Sequence, residues 1–424
     1  NRRVFAGLDR ANRLDEFMLF GLADPQVSRM THIERFSTQV APEIKNYIST
    51  LGKPCYGITL GDVISMGSTD LTNTILPAMR DAMHSEKLGM PIFQVMGNHD
   101  NCYMTAKHPV YGKNIRDINL NIQRMFETTF GPINYSFNRG DAHIVGMRNI
   151  QWKSGDDCST DNTRTAFTEE QYEWLKQDLA VVPKDKVVVL CVHIPLYNNG
   201  SIGDGSYRQE VLSLLDEFAE AHVLSGHLHY MRNYDHSLVS SSTHKRLYEH
   251  AQAAVNGASW TSNINGDGVP NGYGVYHFKG NTIKDWYYKG YADGMSSRDY
   301  QIRLYRGNTI TGAAINDANG NGTKGYYQFG YGDDILLANV FNSDTAWDVE
   351  VYEDGVYSGK MTSLSKYHFS VPFDSLIGSF TYDDPKRPAV GVECGQEFWA
   401  IGVLCGHLGM NNGGLYYKHC YQLW

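Results

Sequence analysis

The chain has 424 residues, and because single hydrophobic cores stop growing at about 250–300 residues, two domains are expected. Lys and Arg number 37 against 46 Asp and Glu, a net charge of −9, and no basic cluster is long enough to follow a phosphate backbone, so nucleic acid is excluded as the main partner. No run approaches the ~20 apolar residues that a membrane-spanning helix needs.

From the N-terminus, Phe17 to Ala23 is an apolar run of strand length. Ile33 to Leu51 has helical periodicity, with Pro42 expected to break it. Tyr56 to Leu60 is a second strand, followed by an amphipathic stretch through Leu71, Ile75, Met79 and Met83. Ile92 to Met96 is a third strand, and Ile118, Ile122, Met125 and Phe126 line another helix. Thr168 with Gln171 spells a capping box at the start of a helix carrying Trp174, Leu175 and Leu179. Val187 to Val192 is a fourth strand, Val211 to Phe218 a helix and His222 to Leu224 a fifth strand. Strands alternating with helices predict an α/β sheet covered on both faces.

Each of the five strands runs directly into side chains able to bind metal. The first ends in Asp24 and Gln26, the second in Asp62, the third in Asn98, His99 and Asp100, the fourth in His193, and the fifth in His227 and His229. In open α/β sheets, ligands bind beyond the carboxyl ends of the strands, so groups 200 residues apart in sequence can converge there. Any one of these residues alone reads as a cap, a turn former or a hydrogen-bonded core histidine. Their coincidence at five strand ends predicts one metal site. Oxygen and imidazole donors without thiolate suit Mn, Fe, Mg or Zn.

The ordered pattern D-x-Q, G-D, G-N-H-D, H and G-H-x-H resembles the calcineurin-like metallophosphoesterases over roughly residues 17 to 290. The segments Phe130 to Phe137 and Phe167 to Leu175 are similar to that family too. The resemblance implies two divalent metal ions, one held by Asp24, Asp62 and His229, the other by Asp62, Asn98, His193 and His227, with Asp62 as the bridge. The family most often has histidine where this chain has Gln26, so the amide stands in a ligand position. It implies further that a metal-bridged hydroxide attacks phosphorus. His99 is then the general acid for the leaving group, with Asp100 accepting its second N–H. Asn101 and His108 read as polar loop residues, and Trp260 to Tyr273 as a surface loop.

Past Gly290 the helical period disappears. Ile302 to Tyr305, Ile335 to Phe341 and Trp347 to Tyr352 alternate, with a turn at Asp354 and Gly355, which predicts an antiparallel β-sandwich. The expected layout is an N-terminal extension at 1–16, a metallophosphoesterase domain at 17–292 and an accessory β domain at 293–424. Trp286 to Gly290 and Ala338 to Trp347 resemble the C-terminal domain of a bacterial branch of the family. Asp317 to Gly322 reads as a glycine turn rather than a calcium loop, since no bidentate glutamate follows at the required spacing.

The seven cysteines make no CxxC or zinc-like spacing, and Cys394, Cys405 and Cys420 could supply one disulfide. The 28 tyrosines and the modest charge content favour an extracytoplasmic protein, and Asn1 in first place is expected to follow a lost start that carried any leader. The function expected is phosphomonoester hydrolysis on a small molecule, a protein or a glycan-linked phosphate. Phosphodiester hydrolysis at the same site is one alternative, and a catalytically weak glycan- or surface-binding module is another.

Overall fold

The computed structural model describes residues 15–65, 74–100, 115–152, 163–197, 206–236, 246–257, 260, 263–265, 268–306, 335–343, 347–363, 369–371, 392–394, 398–402 and 422–423. Leu71, Asn101, His108, Cys405, Cys420 and the 317–322 turn lie outside these residues.

Strand β1 (Glu16–Leu22) is apolar on both faces. Phe17 and Leu19 enter one core, while Phe20 on the other side meets Tyr47 and Tyr273. The helical run that follows comprises α1 (Met30–Arg35), a π-helical turn (Phe36–Val40) and α2 (Ala41–Leu51). Pro42 does not break it. Proline has no N–H to give to the carbonyl four residues back, and the backbone absorbs the loss by widening: the Ala41 N–H reaches Phe36 O instead. Pro42 thereby sits in the first turn of α2, where its missing donor costs nothing.

Next come β2 (Cys55–Thr59), α3 (Leu76–Ala82), α4 (Ser85–Leu88), β3 (Ile92–Phe93), α5 (Ile115–Phe130), β4 (Asn134–Arg139), β5 (Ala142–Met147), β6 (Ile150–Trp152) and β7 (Thr163–Thr165). After α6 (Glu169–Leu179) stand β8 (Val187–Cys191), α7 (Arg208–Leu215), β9 (Glu220–Ser225), β10 (Arg232–Asp235), β11 (Leu247–Ala251), β12 (Gly272–Lys279) and β13 (Thr282–Gly290). The capping box forms as predicted: Thr168 Oγ1 accepts from the Gln171 N–H at 3.2 Å, and Gln171 Oε1 accepts from the Thr168 N–H at 3.0 Å.

Eleven of these thirteen strands make two sheets rather than one, and β6 and β7 pair separately as a two-stranded ladder. The first has the order β13-β12-β1-β2-β3 and the second β10-β11-β9-β8-β5-β4. Strands β1, β2 and β3 run parallel, as do β5, β8, β9 and β11. Alternation along β8 shows how the layers form. Val187, Val189 and Cys191 face the first sheet, joining Phe17, Leu19, Ile58 and Phe278 in a shared core. Val188, Leu190 and Val192 face the other way, onto Leu175 and Leu179 of α6 and Val211 and Leu215 of α7. A strand buried on both sides needs a cover on each, and here a second sheet covers one of them.

The chain divides into two compact units, the first taking in residues 1–228, 234–255 and 273–286 and the second the rest. In the second, β14 (Ile302–Arg306), β15 (Ile335–Val340), β16 (Glu350–Glu353), β17 (Val356–Lys360), β18 (Thr362–Ser363), β19 (Phe369–Val371), β20 (Val392–Cys394), β21 (Phe398–Gly402) and β22 (Gln422–Leu423) pair antiparallel in small sheets. The turn between β16 and β17 falls on Asp354 and Gly355, both with left-handed φ, as a tight hairpin requires. Among the described residues of the segment read as a surface loop, Trp260, Ile264, Val269 and Tyr273 are buried. Its turn satisfies itself, since the Asn265 side-chain amide donates to the carbonyls of Val269 and Pro270. Cys55 and Cys191 are buried free thiols.

Candidate metal centre

Parallel β1 and β2 end side by side, which brings their following turns together. The Gln26 N–H donates to Asp62 O at 2.8 Å, and the Val27 N–H to Val63 O at 3.2 Å. Asp24 and Asp62 are fully buried, on backbones that turn left-handed, with φ of 49° and 52°. Gln26, His227 and His229 do the same, so five of the nine non-glycine residues with positive φ among the described residues belong to the predicted ligand set. Such conformations cost roughly 1–3 kcal/mol each and persist where the surroundings impose them, characteristically at functional sites.

Side chains from all five tips contribute. His193 Nε2 lies 2.8 Å from Asn98 Oδ1 and 3.2 Å from Asp62 Oδ2. His227 Nδ1 lies 3.0 Å from the same Asn98 oxygen and 3.3 Å from His193 Nε2. On the far side of its ring, His193 Nδ1 stands 2.8 Å from Leu60 O. A carbonyl only accepts, so Nδ1 carries a hydrogen and Nε2 faces inward, where it takes either a proton or a cation. Asp24 Oδ2 accepts the His227 N–H at 2.8 Å. Asp62, His193 and His227 each offer one ligand atom within 4.8 Å of the others, and Asp24, Asp62 and His229 form a second group of the same kind.

This donor set fits a divalent cation. Carboxylate, amide and imidazole acceptors crowd one another, and two ring nitrogens 3.3 Å apart need a proton or a cation between them. The electrostatics agree. Burial works to raise Asp62, but His193 and His99 opposite hold its carboxyl well below the usual range. Burial favours the neutral ring at His193, yet the Asp62 charge outweighs it and pushes the imidazole up to about 9. Two glycines give the ligands room: a Cβ at Gly97 would come within 2.1 Å of Asp62 N and Oδ1, and one at Gly226 within 2.4 Å of Asp24 Oδ2.

Gln26 donates its side-chain N–H to Asp62 Oδ2 at 3.0 Å. Its amide thus presents a donor to the carboxylate where an oxygen ligand was expected. His99 donates its backbone N–H to Asp62 Oδ1 at 2.7 Å, and its Nε2 lies 3.8 Å from Asp62 Oδ2, with about a quarter of the side chain (26%) exposed. Asp100 does not face that ring. Its two oxygens accept the N–H groups of Gly97 at 2.7 Å and Ile64 at 3.0 Å, fastening the Asn98 turn to the turn after β2. The buried Gly97 and Ile64 amides need acceptors, and the carboxylate behind them supplies both. Burial, with the Asp62 charge added, raises Asp100 to about 7.

Two buried charged residues, Glu249 and Arg148, were not singled out from sequence. Glu249 on β11 accepts the Tyr197 N–H through both oxygens at 3.1 Å and lies 3.0 Å from His236 Nε2, fixing the segment that follows His193. Arg148 follows β5. Reading Ala142 to Met147 as a sixth strand would have exposed it as another polar tip.

Two family models match the chain: calcineurin-like phosphoesterase over residues 40–231 and the C terminal of calcineurin-like phosphoesterase over residues 249–374. The chain carries a calcineurin-like phosphoesterase domain followed by that family's C-terminal domain. No curated protein sequence matches it. Among solved structures it is similar to PhoD, at 12% identity and a TM-score of 0.39, over 63% of this chain and 65% of that one. It is similar to the sulfate thiohydrolase SoxB of Thermus thermophilus, at 10% identity and 0.36, over 67% and 57%. A 5'-nucleotidase precursor, also from Thermus thermophilus, is similar at 11% and 0.34, over 64% and 54%. The chain spans less than two thirds of the length of each of these.

Proposed function

We propose that the protein is a metal-dependent hydrolase of phosphoric esters, acting on a phosphomonoester through two divalent ions. The convergence of Asp62, Asn98, His193 and His227 at 2.8–3.3 Å carries the reading. Asp24, Asp62 and His229 hold one ion, and Asp62, Asn98, His193 and His227 the other. When bound, such a pair clamps a phosphoryl group and lowers the pKa of bound water toward ~7.

The chain's own residues do the rest. Leu60 O fixes the tautomer of His193, and Gln26 fixes the rotamer of Asp62. Asp100 holds the turn that aims Asn98 and His99. His99, partly exposed beside the cluster, gives its proton to the departing alkoxide, a role worth ~10²–10⁴ in rate.

The test is turnover of p-nitrophenyl phosphate and bis-p-nitrophenyl phosphate by the Mn- or Zn-loaded protein. The monoester is expected to turn over faster, and His99→Ala to lose about a hundredfold or more in kcat with both metals retained. Absence of turnover with both ions bound would leave the binding module standing.

A further inference from the structure

His193 stands past the end of β8, where the chain bends, and the two neighbouring strands support that bend differently. On the β9 side backbone pairing continues: the Val192 N–H donates to Leu224 O and the Gly226 N–H to His193 O, each at 3.0 Å. On the β5 side the ladder closes with Gly146 against Cys191. The chain beyond β5 has turned to other partners there. The Arg148 N–H donates to Ile133 O and the Asn149 carbonyl accepts from the Ala166 N–H, both at 3.0 Å.

A side chain takes over where the backbone has left. Asn149 Nδ2 donates to Ile194 O at 2.6 Å, and Asn149 Oδ1 accepts the Ile194 N–H at 3.1 Å. The amide thus exchanges both hydrogen bonds with one residue, as a facing residue of an antiparallel pair does. Asn149 and Ile194 are buried, so the Ile194 peptide groups have no water to fall back on if the amide is removed. The Ile194 side chain is fastened as well, in an apolar cluster with Met96, Phe126, Ile133 and Ile150. His193 lies directly before this doubly held residue. Leu60 O fixes the turn of its ring at 2.8 Å, and the clasp on Ile194 fixes the backbone that carries the ring.

The geometry points to Asn149 as a positioning residue that aims His193 at the ion it shares with Asp62, Asn98 and His227, so that loss of the amide releases this ion and spares the one held by Asp24, Asp62 and His229. The inference rests on the two-ion reading proposed above. Without the amide, a buried N–H and a buried carbonyl at Ile194 lose their partners together, and the bend shifts toward whatever replacement it can reach. The His193 ring moves with it, away from the positions 2.8 Å from Asn98 Oδ1 and 3.2 Å from Asp62 Oδ2 that ligation requires. Asp24 and Asp62 stand on turns joined to each other by backbone bonds, from Gln26 N to Asp62 O and from Asp24 N to Gly61 O, in which Asn149 takes no part.

The experiment compares wild type, Asn149→Ala and Glu220→Gln. The last removes a buried charge that serves β13 and Arg246 and so controls for a general loss of stability. Manganese stoichiometry and affinity are measured by calorimetry, alongside the electron paramagnetic resonance of the manganese-loaded proteins, the melting temperature without metal and turnover of both p-nitrophenyl esters. In Asn149→Ala one ion is expected to bind as in wild type and the other about ten- to a hundredfold more weakly, the loss typical when support for a ligand is removed. The resonance should change from that of a coupled pair to that of an isolated ion. Glu220→Gln should melt lower and keep both ions. Should the alanine variant not fold, Asn149→Ser is read in the same way. Two ions at wild-type affinity in a folded variant, equal weakening of both ions, or the same selective loss in Glu220→Gln overturns the proposal, as does wild type that binds fewer than two ions. Wild type that binds two ions and turns over neither ester removes the hydrolase reading alone, and the manganese comparison still decides the role of Asn149.

Discussion

Gly97 has no room for a side chain. The 2.1 Å that would separate its Cβ from Asp62 N and Oδ1 sets it against backbone and against a buried carboxylate, neither of which can swing away. Gly97→Ala is therefore expected to displace Asp62 and to lower metal affinity by about ten- to a hundredfold, the range seen when support for a ligand is removed. The sheets should remain intact, because the residue lies beyond β3. Manganese titration by calorimetry, with circular dichroism as the control for folding, checks both parts, and wild-type affinity in the variant would refute the first. At this scale the sequence was informative about which side chains meet, since oxygen and imidazole donors after strands have few other uses in such numbers. It was uninformative about partners within the turn. Asp100 stands next to His99 in sequence, and only the fold reveals that two buried amides, those of Gly97 and Ile64, claim both its oxygens.

Continuous apolar runs implied that several strands are buried on both faces, but not whether helices or a second sheet cover them. The strand β5 escaped notice because Gly146 and His143 interrupt its apolar pattern, and Arg148 escaped with it. Glu220 on β9 illustrates what a second sheet adds. It accepts from Thr282 Oγ1 at 2.6 Å and the Ile283 N–H at 2.8 Å, both on β13 of the other sheet, and pairs with Arg246 at 2.8 Å and His222 at 3.0 Å. Burial works to raise its pKa, but these partners, His222 foremost, lower it below the ordinary 4.5. A carboxyl lowered on folding stabilises the protein above its unfolded pKa, and the contribution is lost as pH falls through the folded value. Glu220→Gln should thus melt below wild type at pH 7, and the gap should narrow as pH drops from about 4.5. Thermal scans across that range test it, and a gap independent of pH would count against the lowered carboxyl.

The donors come from tips separated by up to 205 residues, so an ion that binds them binds only the folded architecture and hardly the unfolded chain. Any such ligand stabilises by mass action, ~2.7 kcal/mol at a hundredfold excess over its Kd. In a domain of this size that amounts to roughly 2–4 °C per kcal/mol. Wild type is expected to melt several degrees higher with manganese than after chelation, and Asp62→Asn to show no such difference, because the carboxylate shared by both groups is gone. His99→Ala should keep the full stabilisation while losing turnover, since its ring stands beside the cluster and belongs to neither group. The three proteins together separate holding the ions from using them. A manganese shift that survives in Asp62→Asn would mean that the ions sit elsewhere, and a shift lost in His99→Ala would make that ring a ligand and leave the proton donor to be sought among other residues.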